Sequence, residues 1–132
     1  MYQYNAVIRK VVDGDTIEID IDLGLSAWVH NEIIRLYGID TPEVYGVKKG
    51  SAEWERGNLA SEFVKKYLNE NDQVIIETIK DKKEKYGRYL ALIYVMIDLN
   101  VLTGLTDIRI IGDFYCLNDI LIAKGFAKKY MI

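Results

Sequence analysis

The sequence predicts an α+β protein that is predominantly β, with five strands closed into a small barrel and two or three helices beside them. Three observations support this fold class. Apolar and polar residues alternate near the N-terminus, with the period of a half-buried strand. An apolar stripe of helical spacing follows residue 50. Two further strand-like runs come after that stripe, which brings the number of expected strands to five.

The first two strands form a hairpin. Residues 5–12 are a β-branched run, and Asp13-Gly14 is a strong signal for a tight turn. Residues 16–23 then alternate strictly, which predicts one buried and one solvated face. The buried face would carry Ile17, Ile19, Ile21 and Leu23, and the solvated face Glu18, Asp20 and Asp22.

A third strand is predicted over residues 31–39, ending before Pro42, the only proline. Asn58 is a suitable cap for the helix that follows. The helical stripe comprises Leu59, Ala60, Phe63, Val64, Tyr67 and Leu68.

The last two strands are predicted over residues 73–79 and 89–97, around a charged turn at 80–85. The second is apolar enough to be buried on both faces. A short helix over about 118–124 fits an Asn118 cap and Gly125 as the left-handed residue after its end.

Between these elements, residues 108–111 are the candidate for one more strand, paired with residues 95–99. Because an open sheet of five strands would expose pairing edges, the order of elements favours a closed, OB-like barrel.

Size and composition fit one domain. With 132 residues and a mass of 15.2 kDa, the chain is predicted to form a single domain over residues 1–132. Half of the residues are hydrophobic and 28% are charged, unlike the composition of disordered chains. The longest apolar run, residues 90–97, is far shorter than the roughly 20 residues of a membrane-spanning helix. We therefore expect a soluble protein with no membrane partner.

The net charge of −3 means that any affinity for nucleic acid must come from local basic patches. Cys116 is the only cysteine, which excludes an internal disulfide and predicts a small apolar filler. Charges at Arg9, Lys10, Asp13 and Asp15 leave no apolar stretch for a signal peptide. A cytoplasmic location is expected from the sequence as written, and secretion if a leader has been trimmed.

Oxygen-bearing side chains gather at two strand ends, at Asp15 and at Asp40, Thr41 and Glu43. If the two strand ends meet, their carboxylates would suit a hard divalent cation. The alternative is that both segments are only solvated turns.

Two arginines, Arg35 and Arg88, lie on or beside predicted strands. Guanidinium groups bind phosphate oxygens bidentately and stabilise the extra charge of a phosphoryl transition state. The alternative is that they are ordinary surface ion-pair partners.

Several motifs follow one another along the chain in a recognisable order. They are Asp13-Gly14-Asp15-Thr16, Arg35-Leu36-Tyr37-Gly38-Ile39-Asp40-Thr41-Pro42-Glu43, Lys48-Lys49-Gly50, Ala60-Ser61-Glu62-Phe63-Val64-Lys65-Lys66, Lys85-Tyr86-Gly87-Arg88 and Gly125-Phe126-Ala127-Lys128. In this order they make the sequence similar to the staphylococcal nuclease (thermonuclease) family. The resemblance covers nearly the whole chain and implies an OB-fold nuclease that is calcium-dependent, cuts DNA and RNA and leaves 3′-phosphate ends.

The resemblance also implies roles for individual residues. Glu43 would orient or deprotonate the attacking water, while Arg35 and Arg88 would hold the scissile phosphate. The Ca²⁺ ligands would be Asp15, Asp40 and the carbonyl oxygen of Thr41, with Asp13 supporting the metal site. A carboxylate base with an ordinary pKa near 4.3 is weak at neutral pH, so metal dependence is expected.

Basic and aromatic residues outside this centre are candidate nucleic-acid contacts. Lys85 and Tyr86 match the family's phosphate contacts, and Lys48 and Lys49 are further candidates. No catalytic role is expected for His30, because no second histidine accompanies it. Residues 96–114 exceed the short turn expected from the family and are predicted to be an insertion.

Two other classes of function are open. One is a non-catalytic OB-fold module that binds nucleic acid or protein, and the other is a structural protein whose carboxylates are only turn residues. We favour the nuclease because every charged position of the family's active site is present. We expect a monomer that binds DNA or RNA through phosphates, without base specificity.

Overall fold

The structure is a computed structural model that describes residues 2–42, 48–79, 83 and 87–130. A short 3-10 helix spans Leu99–Leu102. The other elements, in chain order, are β1 (Tyr2–Asp13), β2 (Thr16–Gly24), β3 (Ala27–Leu36), β4 (Ile39–Asp40), α1 (Ala52–Tyr67), β5 (Gln73–Thr78), β6 (Tyr89–Val95), β7 (Ile110–Ile111), β8 (Phe114–Cys116), α2 (Leu117–Ala123) and β9 (Lys128–Lys129).

Five long strands close into the expected OB-like barrel. Their hydrogen-bonded order is β3-β2-β1-β5-β6, and β3 also pairs with β6 in parallel, which joins the two ends of the sheet. The closing register places Ile34 opposite Tyr89, Arg35 opposite Leu90 and Leu36 opposite Ala91. The predicted fold class is confirmed, and closure leaves Arg35 at a seam between two strands.

The barrel interior is filled by the branched side chains that alternate along the strands. Ile8, Ile17, Ile19, Ile34 and Ile76 are fully buried. β6 is buried on both faces from Ala91 to Val95, as its continuous apolar run predicts. Ala91, Ile93 and Val95 pack in the main core, and Leu92 and Tyr94 pack with Cys116 in a second cluster. Cys116 is fully buried, and this burial raises the pKa of its thiol to about 12.

Two assignments on β2 are wrong. Asp20 was expected to be solvated but is buried, and Leu23 was expected to be buried but is half exposed. The pairing of β2 with β3 shifts register between Ile19 and Ile21, opposite Asn31, whose φ of +58° marks a bulge. A bulge changes which side chains share a face, so strict alternation no longer applies beyond it.

The third predicted strand, over 31–39, is wrong at both ends. β3 begins at Ala27 and stops at Leu36, and the chain resumes as the two-residue β4. Gly38 between them has a φ of +77°, a conformation that favours glycine and turns the chain away from the barrel. β4 then pairs with β9 rather than with the barrel strands.

The first helix begins earlier than its apolar stripe predicts. α1 starts after Ser51, whose hydroxyl oxygen accepts a hydrogen bond from the Trp54 amide at 3.2 Å, so Asn58 is not its cap. Leu59, placed in the buried stripe, is 55% exposed. The residues that α1 does bury are Gly57, Ala60, Ser61 and Val64. The rest of the predicted stripe is confirmed, because Ala60, Val64 and Leu68 are buried and Phe63 and Tyr67 pack against the core. The earlier start was missed because small residues such as Gly57 carry little hydropathy signal.

The second helix also lacks its predicted cap. Asn118 lies inside α2 and is buried, where its amide donates to the carbonyl oxygens of Tyr37 and Ala91. Its Oδ1 accepts from the Ile93 amide at 3.1 Å. Gly125 follows the helix with a φ of +80°, as predicted. Within the described ranges, neither α-helix is long and apolar enough to cross a membrane.

Residues 96–114 add an edge to the barrel sheet. The proposed pairing of 108–111 with 95–99 is wrong, because β8 takes that place beside β6 and β7 pairs with β8. Arg109 fixes this segment to α2 through hydrogen bonds from Nε and Nη2 to Asp119, at 2.9 and 2.7 Å. Whether the segment is an insertion relative to the family, and whether 1–132 is one domain, stay predictions.

Candidate active site

Arg35 is the centre of the candidate site. Its side chain is 15% exposed, and Nη1 donates to the carbonyl oxygens of Leu36 and Ile39 at 2.8 and 3.0 Å. These bonds hold the guanidinium group across the turn between β3 and β4. Nη2 then lies 3.5 Å from Asp15 and 3.4 Å from Asp40. The structure therefore brings together three of the residues that the sequence singled out.

Asp15 is held at the start of β2 by its own backbone and by Thr16. The Thr16 hydroxyl donates to Asp15 Oδ1 at 3.0 Å, and the Asp15 carbonyl oxygen accepts from the Leu36 amide at 2.8 Å. The second bond ties the β1–β2 turn to the end of β3. Sequence reasoning required these two strand ends to meet, and they do.

Asp40 contacts the same nitrogen of Arg35. Its carboxylate is 51% exposed, whereas that of Asp15 is 14% exposed. The two carboxylates are neighbours, because both lie near the Nη2 atom of Arg35. Both distances to Nη2 are longer than the roughly 2.8 Å of a tight charge-assisted hydrogen bond. Thr41, the next residue, is buried. The carboxylates can therefore exchange this weak contact for another cation.

The turn before Asp15 packs closely against α1. A Cβ built on Gly14 would lie 3.2 Å from the Cβ of Ala60 and 3.3 Å from the Cγ2 of Thr41. Asp13 accepts a hydrogen bond from the Gly14 amide at 2.7 Å. Burial raises the pKa of Asp13, and the charge of Asp15 acts in the same direction. The turn thus concentrates negative charge beside Arg35.

Arg88 and the two lysines occupy different surroundings. Arg88 is half-buried and precedes β6 by one residue, two residues before Leu90, the strand partner of Arg35. Lys48 and Lys49 are exposed just before Ser51, whose amide donates to the Lys48 carbonyl oxygen at 3.0 Å. Glu43, Lys85 and Tyr86 lie outside the described residues.

Sequence reasoning missed a small cavity that adjoins Asp40 and Thr41. It has a volume of about 190 Å³, and Arg56 of α1 and Lys128 of β9 both line it. Arg56 lies in the polar first half of α1, which sequence reasoning left outside the helix, so no pattern connected it with Asp40. Lys128 was noted only as part of a motif, and its position depends on the pairing of β4 with β9.

His30 has a local structural partner. Its Nδ1 lies 3.2 Å from Asp20 Oδ2, and Arg9 contacts the same oxygen. The ring is nearly parallel to that of Trp28, with centroids 6.4 Å apart. These contacts tie His30 to the buried Asp20 on β2.

The donor chemistry beside Arg35 fits a hard cation. Among the described residues, no group of three or more His, Cys, Asp and Glu side chains converges in a way that could hold a metal ion. Asp15 and Asp40 supply two neighbouring carboxylates, and neither is engaged in a short ion pair with Arg35. Carboxylate and carbonyl oxygens are the ligands that Ca²⁺ prefers. The described residues thus bring two carboxylates together but do not by themselves form a complete metal site.

The fold and this cluster define a class: an OB-fold domain that carries an arginine and paired carboxylates where its sheet closes. Residues 33–132 match the family model of the staphylococcal nuclease homologues. The chain belongs to the staphylococcal nuclease family.

Individual relatives agree with this assignment. The chain is 40% identical to the thermonuclease of Staphylococcus intermedius over 89 aligned residues. The alignment covers 67% of this chain and 48% of that protein. It is 29% identical to the endonuclease YhcR of Bacillus subtilis over an alignment of 133 residues. That alignment covers 98% of this chain and 9% of that protein. An uncharacterized protein of Methanocaldococcus jannaschii is 30% identical over 97% of this chain and 60% of its own length. The chain spans about half the length of the thermonuclease.

Proposed function

We propose that this chain is a calcium-dependent nuclease that hydrolyses phosphodiester bonds of DNA, RNA or both and leaves 3′-phosphate ends. The observation that carries the proposal is the position of Arg35, which backbone carbonyls hold between Asp15 and Asp40. Thermonucleases and an endonuclease among the relatives support the same class of activity. A purely structural role would not require an arginine and two loosely paired carboxylates at the seam.

Asp15, Asp40 and the carbonyl oxygen of Thr41 would hold the calcium ion. When bound, the ion supplies positive charge to the phosphate and increases the acidity of a water molecule. Asp13 is a positioning residue in this proposal, since its bond to the Gly14 amide fixes the turn that carries Asp15. Arg35 would contact the phosphate through Nη2, because Nη1 already donates to two carbonyls.

Glu43 and Arg88 complete the proposed catalytic set. Glu43 would take a proton from the attacking water or orient it, and Arg88 would stabilise the additional negative charge on the phosphate oxygens. The water oxygen would bond to phosphorus as the P–O5′ bond breaks, and the water proton would pass to the carboxylate of Glu43. The 5′ oxygen would take a proton from solvent and leave as a hydroxyl on one fragment, so that the other fragment keeps the phosphate on its 3′ oxygen. Lys85, Tyr86, Lys48 and Lys49 are proposed contacts to the rest of the strand.

The experiment is digestion of single-stranded DNA by the purified chain, with Ca²⁺ and with a chelator. We expect cleavage only with Ca²⁺, and fragments whose 3′ ends a DNA polymerase cannot extend until a phosphatase removes the 3′-phosphate. Glu43→Gln should slow hydrolysis by about 10²-fold or more, the usual loss on removing a general base. It also serves as the control for a contaminating nuclease.

Three results would contradict the proposal. Hydrolysis that persists in chelator would remove the calcium dependence, and 3′-hydroxyl products would remove the proposed bond polarity. If the folded chain binds the strand in Ca²⁺ without cutting it, the non-catalytic binding module is the correct interpretation.

A further inference from the structure

The cavity beside Asp40 is separate from the carboxylate and arginine cluster but shares one wall with it. Asp40, Thr41 and Pro42 form that wall, and α1 and the segment before β9 form the others. The remaining lining residues are Glu53, Arg56, Gly125, Phe126, Ala127 and Lys128. A nucleic-acid strand bound at Asp40 would therefore run either past this cavity or away from it.

Lys128 is held beside Asp40 by strand pairing. The two residues are direct partners in the antiparallel pair of β4 and β9, so their side chains extend from the same face. The Tyr130 amide, which donates to the Gly38 carbonyl oxygen at 2.8 Å, continues this pairing. Lys129 points the other way and lines a different cavity, with Asp107 and Asp119.

Arg56 supplies a second cation from α1. It is exposed and precedes the buried Gly57, which places it at the edge of the packed face of the helix. No ion pair in the described part of the chain includes Arg56 or Lys128. Guanidinium and ammonium groups without an acidic partner are suited to binding a phosphate.

The cavity also has an apolar wall. Phe126 is half-buried and stacks on Phe63, with ring centroids 4.8 Å apart and planes 28° apart. Pro42 and Ala127 extend this surface. Cations beside a rigid apolar wall match a nucleotide, which carries a phosphate next to a sugar and a base.

We propose that this cavity is a nucleotide subsite, in which Arg56 and Lys128 contact the phosphate adjacent to the scissile one. The inference rests on the proposed nuclease function and deepens it, because it fixes the direction in which the strand leaves Asp40. The cavity is small, about 190 Å³, and two carboxylates, Asp40 and Glu53, also line it, so the proposal is for a single phosphate.

The test measures binding of a fluorescent single-stranded oligonucleotide in Ca²⁺, in the Glu43→Gln background so that the strand stays intact. Arg56→Gln and Lys128→Gln should each weaken binding several-fold. The double variant should also reduce the slope of log affinity against log salt concentration by about 0.7, the value for one lost phosphate contact on a single strand, and each single variant should reduce it by less, because both cations contact the same phosphate. Lys129→Gln is the matched control, since it removes the same charge from the adjacent residue on the opposite face.

A second measurement locates the contact. Each oligonucleotide of a series carries one neutral methylphosphonate, placed at a different position in each. Lys128→Gln should weaken the binding of every oligonucleotide except the one whose methylphosphonate replaces the phosphate beside the scissile bond, because that contact is already absent. Uniform losses at every position, or equal effects of Lys128→Gln and Lys129→Gln, would overturn the subsite while leaving the nuclease proposal intact. If the parent chain neither binds nor cuts the strand, both proposals fail.

Discussion

At the scale of single residues, Arg35 shows how backbone groups prepare a charged side chain for a ligand. Two carbonyl acceptors use Nη1 and leave Nη2 to face the carboxylates. A lysine has no second nitrogen with which to make both sets of contacts. The orientation of the arginine is therefore fixed before a substrate arrives, which lowers the entropic cost of binding one.

Asp20 offers a test of a buried charge remote from the site. Burial by itself raises the pKa of Asp20, but hydrogen bonds from the Asn31 amide, Arg9 and His30 outweigh it and lower the pKa below its usual 3.8. A lowered pKa stabilises the fold above pH 3.8, and that contribution is lost as the pH falls through the folded-state value. Asp20→Asn should cost about 2 kcal/mol near neutral pH, the loss of hydrogen bonds to a charged acceptor.

The measurement is urea unfolding of both proteins between pH 7 and pH 3. The difference in unfolding free energy should shrink as the pH falls below the usual carboxyl value. Asp22→Asn is the control, because Asp22 lies on the same strand and its carboxylate accepts an exposed hydrogen bond from the Gly24 amide. A difference that stays constant across this range would show that the charge of Asp20 is not what stabilises the fold.

Arg88 is predicted to matter more for catalysis than for folding. Arg88→Ala should lower kcat/KM for single-stranded DNA by about 10² to 10³, the typical cost of removing one donor to a developing charge. Steady-state hydrolysis and urea unfolding of the same preparation provide the comparison. Unfolding of the variant at room temperature would mean that Arg88 is a structural residue and that its catalytic assignment is wrong.

At the scale of elements, the β1–β2 turn and α1 act as one unit because Gly14 leaves no space between them. An added methyl group would meet Ala60 at 3.2 Å, Thr41 at 3.3 Å and the Ser61 amide nitrogen at 3.4 Å. Asp15 follows directly in the chain, and Thr41 follows Asp40. Packing of the helix therefore sets the positions of both carboxylates.

Gly14→Ala is expected to destabilise the fold by about 1 to 3 kcal/mol, the usual cost of overpacking. It should also reduce hydrolysis, since the turn that carries Asp15 must shift. The double variant Gly14→Ala with Ala60→Gly should recover part of the activity, even though glycine inside a helix costs about 1 kcal/mol. Activity that is unchanged in the single variant would show that the turn and the helix are not coupled.

The accuracy of the sequence predictions follows the strength of each local pattern. Continuous apolar runs identified β5 and β6, and Asp13-Gly14 identified the first hairpin. The N-terminal half of α1 was missed because its buried positions are small residues such as Gly57. Asn118 has the chemistry of a cap but serves three backbone groups on neighbouring elements, a tertiary role that no local pattern contains.

The candidate site was predictable in part. Asp15, Arg35 and Asp40 stand out in the sequence because each belongs to a recognisable motif at a strand end. Their common meeting point depends on closure between β3 and β6 and on the Leu36 amide bond to Asp15. Arg56 and Lys128 were not associated with the site, since their proximity to Asp40 arises only from the packing of α1 and the pairing of β9.

At the scale of the whole molecule, the barrel brings distant parts of the chain to one end. Residues from the first hairpin, from β3 and β4, and from the segment around β9 all border the site or its adjoining cavity. The net charge of −3 gives no general attraction for nucleic acid. Binding must therefore depend on this local arrangement of cations and on the calcium that the carboxylates are proposed to hold.

The most direct measurement is the rate of single-stranded DNA hydrolysis as a function of Ca²⁺ concentration, for the parent chain and for Asp40→Asn. Removing one carboxylate ligand should raise the half-maximal Ca²⁺ concentration by about tenfold or more, because affinity depends on the number of charged ligands. Asp22→Asn, which changes an exposed carboxylate on β2, should leave the curve unchanged. Superimposable curves for the parent and Asp40→Asn, or a parent rate that does not respond to Ca²⁺, would contradict a calcium-dependent nuclease centred on Asp15, Arg35 and Asp40.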